Sequence, residues 1–467
     1  MDTLSPLPSS ALAAPPRWPE RTHLELHDEL HARPALAVQR PSVVSYWVQW
    51  GMDPARSEQA LCTACEACGQ PVPAAGSRHH VLKTGDFALK YERHGEFISW
   101  QVNRPLPDAG EAIGNPALKA LLHEVRALDA LPARFAEALR GEGCGQMLAA
   151  THVVLLRCHD EALLPRSRTL MSSQLGIGHK VADDSAPLLG SWIADGKAAV
   201  LTDLRVRDDG FTRMMLLDFG LEADQAAREA QRLCEIEAYR MLAMLGFPVA
   251  QREAQSLGAL ERTLQQTVDA MASQSAGHDD AQAFDTLTRL AAEVEHSASR
   301  TRYRFSATRA YHQIVQRRLA DLRESRLDGV QTLSGFLSRR FAPAIAFCES
   351  TDARLTDVAD RINRAVSLAR VRVEVHREAN NQQLFKALAH RQALQLRLQQ
   401  TVEGLSVVAI SYYLLGLVGY LAKAAKNVPS LEPLHIQPDV VVGLAVLPVL
   451  IGVKLFLQRL HRHLGSE

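Results

Sequence analysis

The strongest constraint on this chain is an uncharged segment near its C-terminal end. Gly404 to Ala422 form 19 consecutive positions without a charged side chain. At about 1.5 Å of rise per residue, a helix of this length crosses most of the ~30 Å hydrocarbon core of a bilayer and satisfies its own backbone hydrogen bonds. The segment therefore predicts a transmembrane helix. A buried helical hairpin in a soluble protein is the alternative.

A second apolar segment starts at Val440 and continues for 14 uncharged residues to Val453. If Lys454 extends its ammonium group to the lipid headgroups, this span continues to residue 457 and reaches membrane length. Pro448 is tolerated there when neighbouring helices support the bend. The sequence thus predicts spans over 404–422 and 440–457, a short extracytoplasmic loop over 423–439 and a basic tail over 458–467.

The basic residues beside the spans predict their orientation. Three lysine or arginine residues lie in the twenty positions before the first span, and three, including Lys454, lie at or after the end of the second. The loop holds only Lys423 and Lys426. By the positive-inside rule, both termini are expected to face the cytosol. Residues 1–20 lack the basic start of a secretory signal and are expected to be disordered because they are rich in proline, serine and alanine.

Composition excludes several other classes of protein. Fifty-two basic residues balance 52 acidic ones, so no global positive field is present to bind nucleic acid. The seven cysteines are few and odd in number, which argues against a disulfide framework and favours a reducing compartment. With 22% charged and 47% hydrophobic residues, the chain is expected to be folded rather than disordered or fibrous, and its 467 residues predict two or three units.

The N-terminal half mixes strand and helix patterns. Short runs rich in β-branched and aromatic residues occur at 43–50, 87–91, 96–102 and 151–158, and helical patterns occur at 115–128 and 131–140. Two further apolar runs flank Asp208-Asp209-Gly210, which is typical of a hairpin whose glycine can take a positive φ. The charged turn from Tyr91 to Glu96 is expected to be solvated. These patterns predict one cytosolic α/β domain over 21–220.

From Leu221 onward the apolar period becomes that of helices. One helix is predicted to stop at Gly246, a second to cover 251–272, and a third to continue from a polar connector at 273–282 to residue 340. A last helix begins near Cys348, repeats apolar residues in steps of three and four, and runs without a helix breaker into the first span.

The predicted fold class is α+β and mostly α, in three parts. An N-terminal cytosolic α/β domain comes first, and a long, coiled-coil-like helical stalk over 221–403 follows it. Two C-terminal transmembrane helices complete the chain. We expect the stalk to transmit force or position between the α/β domain and the bilayer; a plain spacer is the alternative.

Five blocks along the chain carry a resemblance to a known family. They are His31-Ala32-Arg33-Pro34 and the segments 89–97, 202–220, 232–250 and 402–424. As a set they resemble the bacterial membrane-anchored family catalogued as domain of unknown function 3422, and the likeness covers nearly the whole chain after residue 20. This resemblance implies a multi-pass protein of the bacterial inner membrane and an architecture, but it implies no activity.

In outline, the predicted topology is also similar to the CorA class of magnesium channels. That class carries Gly-Met-Asn just after the first span to select hydrated cations, whereas this chain has Ala422-Lys423-Ala424-Ala425-Lys426-Asn427. Two lysines at a pore mouth repel divalent cations, although Glu432 and Asp439 offset them in number. Cation transport is therefore an alternative function.

Histidines near the N-terminus form one candidate metal site. His23, His27 and His31 recur every four residues, so on a helix they would share one face. The run from His27 to His31 differs from the HExxH motif of zinc proteases because its glutamate lies one position too late, which aims it away from a metal-bound water. A polar helix face is the alternative to a metal site.

Three cysteines form the other candidate metal site. Cys62, Cys65 and Cys68 are separated by two residues each, and His79 and His80 follow them. Three thiolates and an imidazole could hold zinc in a tetrahedral site, whereas the spacing also resembles an incomplete iron–sulfur run. Incidental small residues on a helix or loop are the alternative.

Two tyrosines occupy the centre of the first predicted span. Tyr412 and Tyr413 lie away from the interfacial belts where tyrosine is common, and a phenol at mid-membrane needs a hydrogen-bond partner. That partner could be the second span of the same chain, a second subunit or a wet cavity.

No catalytic motif in the sequence is complete. We therefore predict a non-enzymatic, homo-oligomeric scaffold or sensor that is tethered to the lipid bilayer. Its stalk would couple the cytosolic domain to the membrane. A metal-binding enzyme is a further alternative, alongside cation transport.

Overall fold

A computed structural model describes residues 35–106, 126–165, 167–169, 188–273, 279–426 and 437–464. The chain packs as two compact units. The first extends to Gln266 and includes Thr288–Asn363; the second consists of Thr267–Leu287 and the residues from Arg364 onward. The domain boundary predicted at residue 220 lies inside the first unit, because helices that follow it complete a core described below.

The first unit is built on a nine-stranded sheet. Its strands are β1 Ser42–Trp50, β2 His79–Lys83, β3 Ala88–Arg93, β4 Phe97–Pro105, β5 Gln146–Arg157, β6 Leu189–Ile193, β7 Ala198–Thr202, β8 Thr212–Asp218 and β9 Ser325–Arg326. They lie in the order β2-β3-β4-β1-β5-β8-β7-β6-β9. Neighbours are antiparallel except β5 and β8, which are parallel.

The described residues also form eight α-helices. These are α1 Pro54–Ala67, α2 Ala133–Ala138, α3 Ala223–Met244, α4 Gly246–Ser273, α5 Asp279–Asp321, α6 Leu333–Arg340, α7 Ala342–Lys426 and α8 Pro438–Leu464. The predicted mixture of an N-terminal sheet region with long C-terminal helices is confirmed. The helical pattern at 131–140 corresponds to α2, and the one at 115–128 lies outside the described residues.

The central strand β1 shows how the sheet holds the first unit together. Successive side chains of a strand point to opposite faces. Val43 and Trp47 accordingly pack into one core with residues of α1, whereas Val44, Tyr46 and Val48 pack into the other with residues of α3, α5 and α6. Because both faces are covered, every residue of β1 except Trp50 is buried, including the polar residues Ser42, Ser45 and Gln49.

The remaining strand predictions are largely confirmed. The runs at 87–91, 96–102 and 151–158 correspond to β3, β4 and β5. The predicted hairpin is formed by β7 and β8, with Thr202 opposite Met214 and Gly210 at a φ of +83° in the connection. The sequence does not predict β2, β6 or β9, because these strands are short and depend on their partners.

A helix boundary near Gly246 is present, but for a different reason from the one predicted. Helix α3 ends at Met244 and α4 begins at Gly246 itself. A side chain at Gly246 would collide with Thr308 of α5, whose hydroxyl donates to the carbonyl oxygen of Ala243 at 3.1 Å. The glycine is therefore required by the close approach of another helix rather than by a left-handed conformation.

The predicted continuous helix to residue 340 is wrong at residues 322–332. There the chain leaves α5, adds β9 to the edge of the sheet beside β6, and starts α6. The carboxylate of Glu324 accepts hydrogen bonds from the backbone nitrogens of Leu333 at 2.7 Å and Ser334 at 3.1 Å. Thr332 caps the same helix. These acceptors satisfy the free amides of a helix start and so stabilise the interruption.

Helix α7 is the longest element among the described residues. It begins at Ala342, slightly before the predicted start near Cys348, and it is unbroken to Lys426. The predicted continuity between the stalk and the first apolar segment is thus confirmed. In the second unit, the Nε of Arg372 on α7 lies 3.3 Å from the carboxylate of Asp280 on α5.

Candidate functional site

The two most apolar helical segments of the described residues lie in the second unit. The helical segment that ends at Ala424 has a stretch with a mean hydropathy of 1.9, and Pro438–Leu457 of α8 reaches 2.6. Both are long and apolar enough to cross a membrane by length and composition. Only 11% and 6% of these stretches are buried, whereas the core helix of a soluble protein buries most of its apolar face.

These two segments contact each other along a narrow seam. Ser411 and Ala422 of α7 and Val453 of α8 are buried there. A side chain added at Gly419 would lie 3.3 Å from Val442, so the glycine permits close approach of the two helices. Most other large apolar side chains point outward; Leu405 and Leu444, for example, are 72% and 74% exposed.

A groove with a volume of about 760 Å³ runs between the end of α7 and the start of α8. We call it the tyrosine groove because Tyr412, Tyr413 and Tyr420 line it, together with Lys423 and Asp439. The rings of Tyr412 and Tyr413 contact each other edge to face, with centroids 5.9 Å apart. Both phenols are about three-quarters exposed and, within the described residues, neither forms a hydrogen bond with α8.

The three predicted cysteine ligands lie at the end of one helix. Cys62 and Cys65 belong to α1, and Cys68 terminates it. This helix starts at 54 because Asp53 accepts a hydrogen bond from the amide of Ala55 at 3.0 Å. Cys65 is buried in the core under the sheet, and burial raises the pKa of all three thiols.

A raised pKa keeps these thiols protonated at neutral pH, whereas metal ligands are thiolates. His79 and His80 belong to β2, where they lie opposite Glu92 and Tyr91 of β3. Across the part of the chain that the structure describes, no group of three or more His, Cys, Asp or Glu residues is placed to hold a metal ion. Zinc binding stays a prediction, and His23, His27 and His31 lie outside the described residues.

A buried polar cluster that the sequence does not single out lies in the middle of the sheet. Ser45 of β1 and His152 of β5 face each other in the ladder, and Ser45 Oγ lies 2.6 Å from His152 Nδ1. The other ring nitrogen, Nε2, is 4.0 Å from the carboxylate of Asp209, which Arg213 holds through a hydrogen-bonded ion pair. Phe211 stacks on the imidazole at 4.1 Å.

The surroundings of His152 keep its ring neutral. Burial, followed by the positive charge of Arg213, lowers the pKa of His152 to about 3, although Asp209 acts in the opposite direction. Ser45 is fully buried, so a substrate has no access to its hydroxyl in this arrangement. The cluster is therefore a structural polar network rather than a hydrolytic site. The sequence carries no signal that singles it out, because β1 also contains Ser42 and Gln49 and β5 also contains Thr151.

The turn between β3 and β4 is not solvated at Glu96, contrary to the prediction. Arg304 of α5 donates to both carboxylate oxygens of Glu96, at 3.2 and 2.6 Å, and Tyr311 donates at 2.6 Å. Burial alone would raise the pKa of Glu96, but these donors hold it below its usual value. Trp50 lies beneath the guanidinium of Arg304. This contact attaches the helix to the sheet and engages both carboxylate oxygens of Glu96.

Comparison with known proteins identifies the family. No curated protein and no solved structure matches this chain. A family model described as "Protein of unknown function (DUF3422)" matches residues 17–464. The predicted likeness to this family is confirmed, whereas the likeness in outline to the CorA class stays a prediction. Because the match spans almost the whole sequence, the chain belongs to the DUF3422 family of proteins of unknown function.

Proposed function

We propose that this protein is a membrane-anchored scaffold or sensor of the bacterial inner membrane, with α7 and α8 as its two spans. The observation that supports the proposal is the exposure of the two apolar segments. In water, exposed leucine and valine side chains are unfavourable by about 25 cal/mol per Å² of apolar surface. Lipid removes that cost, and an α-helix already satisfies its backbone polar groups.

The charge distribution supports an orientation with both termini in the cytosol. Arg391 and Arg397 precede the first span on α7, and Lys454 and Arg459 lie near the end of α8. The connection between the helices begins with only Lys423 and Lys426. Basic residues are retained on the cytosolic side during insertion. In this orientation the first unit, which contains the nine-stranded sheet and which we call the sheet unit, lies in the cytosol.

The chemistry of the sheet unit supports a role other than catalysis. Three pairs of its polar groups are engaged with each other: Ser45 with His152, Arg213 with Asp209, and Arg304 with Glu96. Such networks specify packing and rigidity. A rigid cytosolic unit on a membrane anchor fits tethering or signal sensing.

Alkaline extraction of membranes, followed by protease treatment of spheroplasts, tests the proposal. We expect the protein to stay in the membrane pellet after carbonate washing, as integral proteins do. Protease outside the spheroplasts should leave the sheet unit intact, whereas protease added after lysis should digest it. Release by carbonate overturns the membrane anchor, and digestion in intact spheroplasts overturns the orientation.

Cation transport is the second candidate, favoured by the continuity of α7 from the first unit into the apolar segment. It requires a polar path formed by several copies of the first span. Proteoliposomes loaded with a magnesium indicator distinguish the two functions. Flux above that of empty vesicles supports transport, and no flux supports tethering.

A further inference from the structure

Part of α7 has no packing partner among the residues that the structure describes. Every residue from 377 to 402 is exposed. The segment nevertheless carries large apolar side chains: Leu384, Leu388 and Leu398 are 63%, 48% and 69% exposed. An isolated helix is marginal in water and gains most of its stability when an apolar face is packed. This segment therefore lacks the surface that would stabilise it.

Four of the large exposed apolar residues, Leu384, Leu388, Leu398 and Val402, lie on one seven-residue repeat. Phe385, Leu394 and Leu396 lie off it. Steps of four and three lead along α7 through positions 384, 388, 391, 395, 398, 402, 405, 409, 412, 416, 419 and 423, which we call the α7 stripe. Only Arg391, Gln395 and the final Lys423 are charged or amide side chains. A repeat of 3.5 residues is the signature of a left-handed coiled coil, and polar residues inside such a stripe fix its register.

The α7 stripe continues into the tyrosine groove without a change of phase. Tyr412, Gly416, Gly419 and Lys423 belong to both. Helix α8 contacts the stripe at Gly419, but it leaves Leu405 and Tyr412 exposed. Beside the exposed ring of Tyr412, Gly416 has open space at the position of a side chain, which leaves room for a second helix to approach closely.

We propose that α7 pairs in parallel with α7 of a second copy of this chain along the stripe. A second copy is the favoured occupant because it presents the same stripe with the same period. Membrane anchoring, on which the proposal partly rests, would hold the two helices in the same direction. Pairing covers Leu384, Leu388 and Leu398 outside the membrane and supplies the phenol of Tyr412 with a partner inside it.

The charges in the tyrosine groove are complementary to those of another copy. Lys423 and Asp439 both line the groove, and within the described residues neither forms an ion pair. In a two-fold arrangement, each copy offers one ammonium and one carboxylate to the other. The charges of the groove in one copy are therefore complementary to those of the same groove in another copy. They lie at the end of the stripe, where α7 leaves its apolar segment.

Cysteine cross-linking in isolated membranes tests the pairing. Leu398→Cys places a thiol on the stripe, and Leu396→Cys is its matched control because Leu396 is a similarly exposed leucine on the opposite side of α7. The unmodified protein measures the background from the seven native cysteines. Both variants replace exposed side chains, so neither is expected to disturb folding.

Mild oxidation should convert Leu398→Cys to a disulfide dimer at least about fivefold more than Leu396→Cys, because facing core positions bring the Cα atoms within disulfide range and outer positions do not. Equal cross-linking of the two variants, or none above background, overturns the pairing. Membrane fractionation of the same samples reports separately on anchoring. A protein that pellets with membranes but does not cross-link contradicts only the pairing, and one that cross-links in the soluble fraction contradicts only the anchor.

Discussion

The two parts of α7 share an apolar period but differ in what surrounds them. In the first part, Ile345, Leu355, Val358 and Ile362 are at most 2% exposed because the rest of the first unit covers them. Beyond residue 377, leucines at the same spacing are exposed. The comparison shows that the apolar period predicts a helix with an apolar face. The period does not predict whether protein, water or lipid surrounds that face. The following four predictions test this difference.

The largest effect is expected in the apolar segments of α7 and α8, which we propose are surrounded by lipid. Leu417→Arg combined with Leu444→Arg places one guanidinium in each apolar segment, at a cost of about 3 kcal/mol each at a span centre. We expect loss of membrane integration, measured as the fraction that stays in the carbonate-washed pellet. Leu396→Arg, at an exposed leucine before the span, is the control and should keep its place in the membrane. Full retention of the double variant would contradict the anchor.

The next effect concerns packing within the first unit. Leu355→Ala removes a side chain that is 2% exposed and should lower the free energy of unfolding by about 3 kcal/mol, since a cavity adds to the lost burial. Leu396→Ala makes the same chemical change at a 60% exposed site of the same helix and should cost less than about 0.5 kcal/mol. Denaturant unfolding of detergent-solubilised protein measures both. Equal losses would abolish the distinction between the two parts.

The third effect is a dependence of the stability of the sheet unit on pH, which arises from His152. The pKa of His152 is held at about 3, below the ordinary value near 6.5. Below pH 6.5 the unfolded chain binds a proton that the folded chain does not, so stability falls as the pH drops towards 3. From pH 7 to pH 5 this site alone contributes a loss of about 2 kcal/mol.

His152→Gln removes this titration, so its stability should fall less steeply between pH 7 and pH 5. The slope with pH is the measurement, because the substitution also changes the stability itself. Chemical unfolding followed by tryptophan fluorescence reports on the sheet unit, since Trp47 and Trp100 are buried in its core. An unchanged slope would show that His152 is not the neutral group that its surroundings imply.

The smallest effect is expected in the tyrosine groove. Tyr412→Phe removes a phenol from the stripe and should weaken association of copies in detergent by about 0.6 kcal/mol, or roughly threefold in the dissociation constant. Tyr413→Phe makes the same change one residue away and off the stripe, so a smaller change is expected. Sedimentation or fluorescence transfer between labelled copies measures both. A larger effect at Tyr413 would contradict the assigned face.

Local signals in the sequence were sufficient for much of the fold. The β-branched run of β1, the Asp-Asp-Gly connection between β7 and β8, and the uninterrupted helix α7 each follow from short-range preferences. The edge strand β9 does not, because two residues become a strand only when β6 offers hydrogen bonds. The same applies to α6, whose start depends on Glu324.

The candidate functional sites also include one that the sequence predicts and one that it does not. The length of an uncharged stretch is enough to identify the two segments that suit a membrane. The hydrocarbon core of a bilayer has a nearly fixed thickness, and a helix that crosses it needs uncharged side chains over that distance. The polar cluster of Ser45, His152 and Asp209 is invisible in the sequence, because its members come from three separate parts of the chain.

Sequence by itself determined where the longer strands, most of the long helices and the lipid-compatible segments occur, because these depend on side-chain period, turn residues and hydropathy within one stretch of chain. Only the tertiary structure decided which apolar faces are covered, why Gly246 must be a glycine and which side chain pairs with the charged carboxylate of Glu96. Those properties depend on residues such as Thr308 and Arg304 that are distant in sequence and meet through packing. Among the described residues, most of the α7 stripe stays exposed, and the proposed pairing with a second copy rests on that exposure.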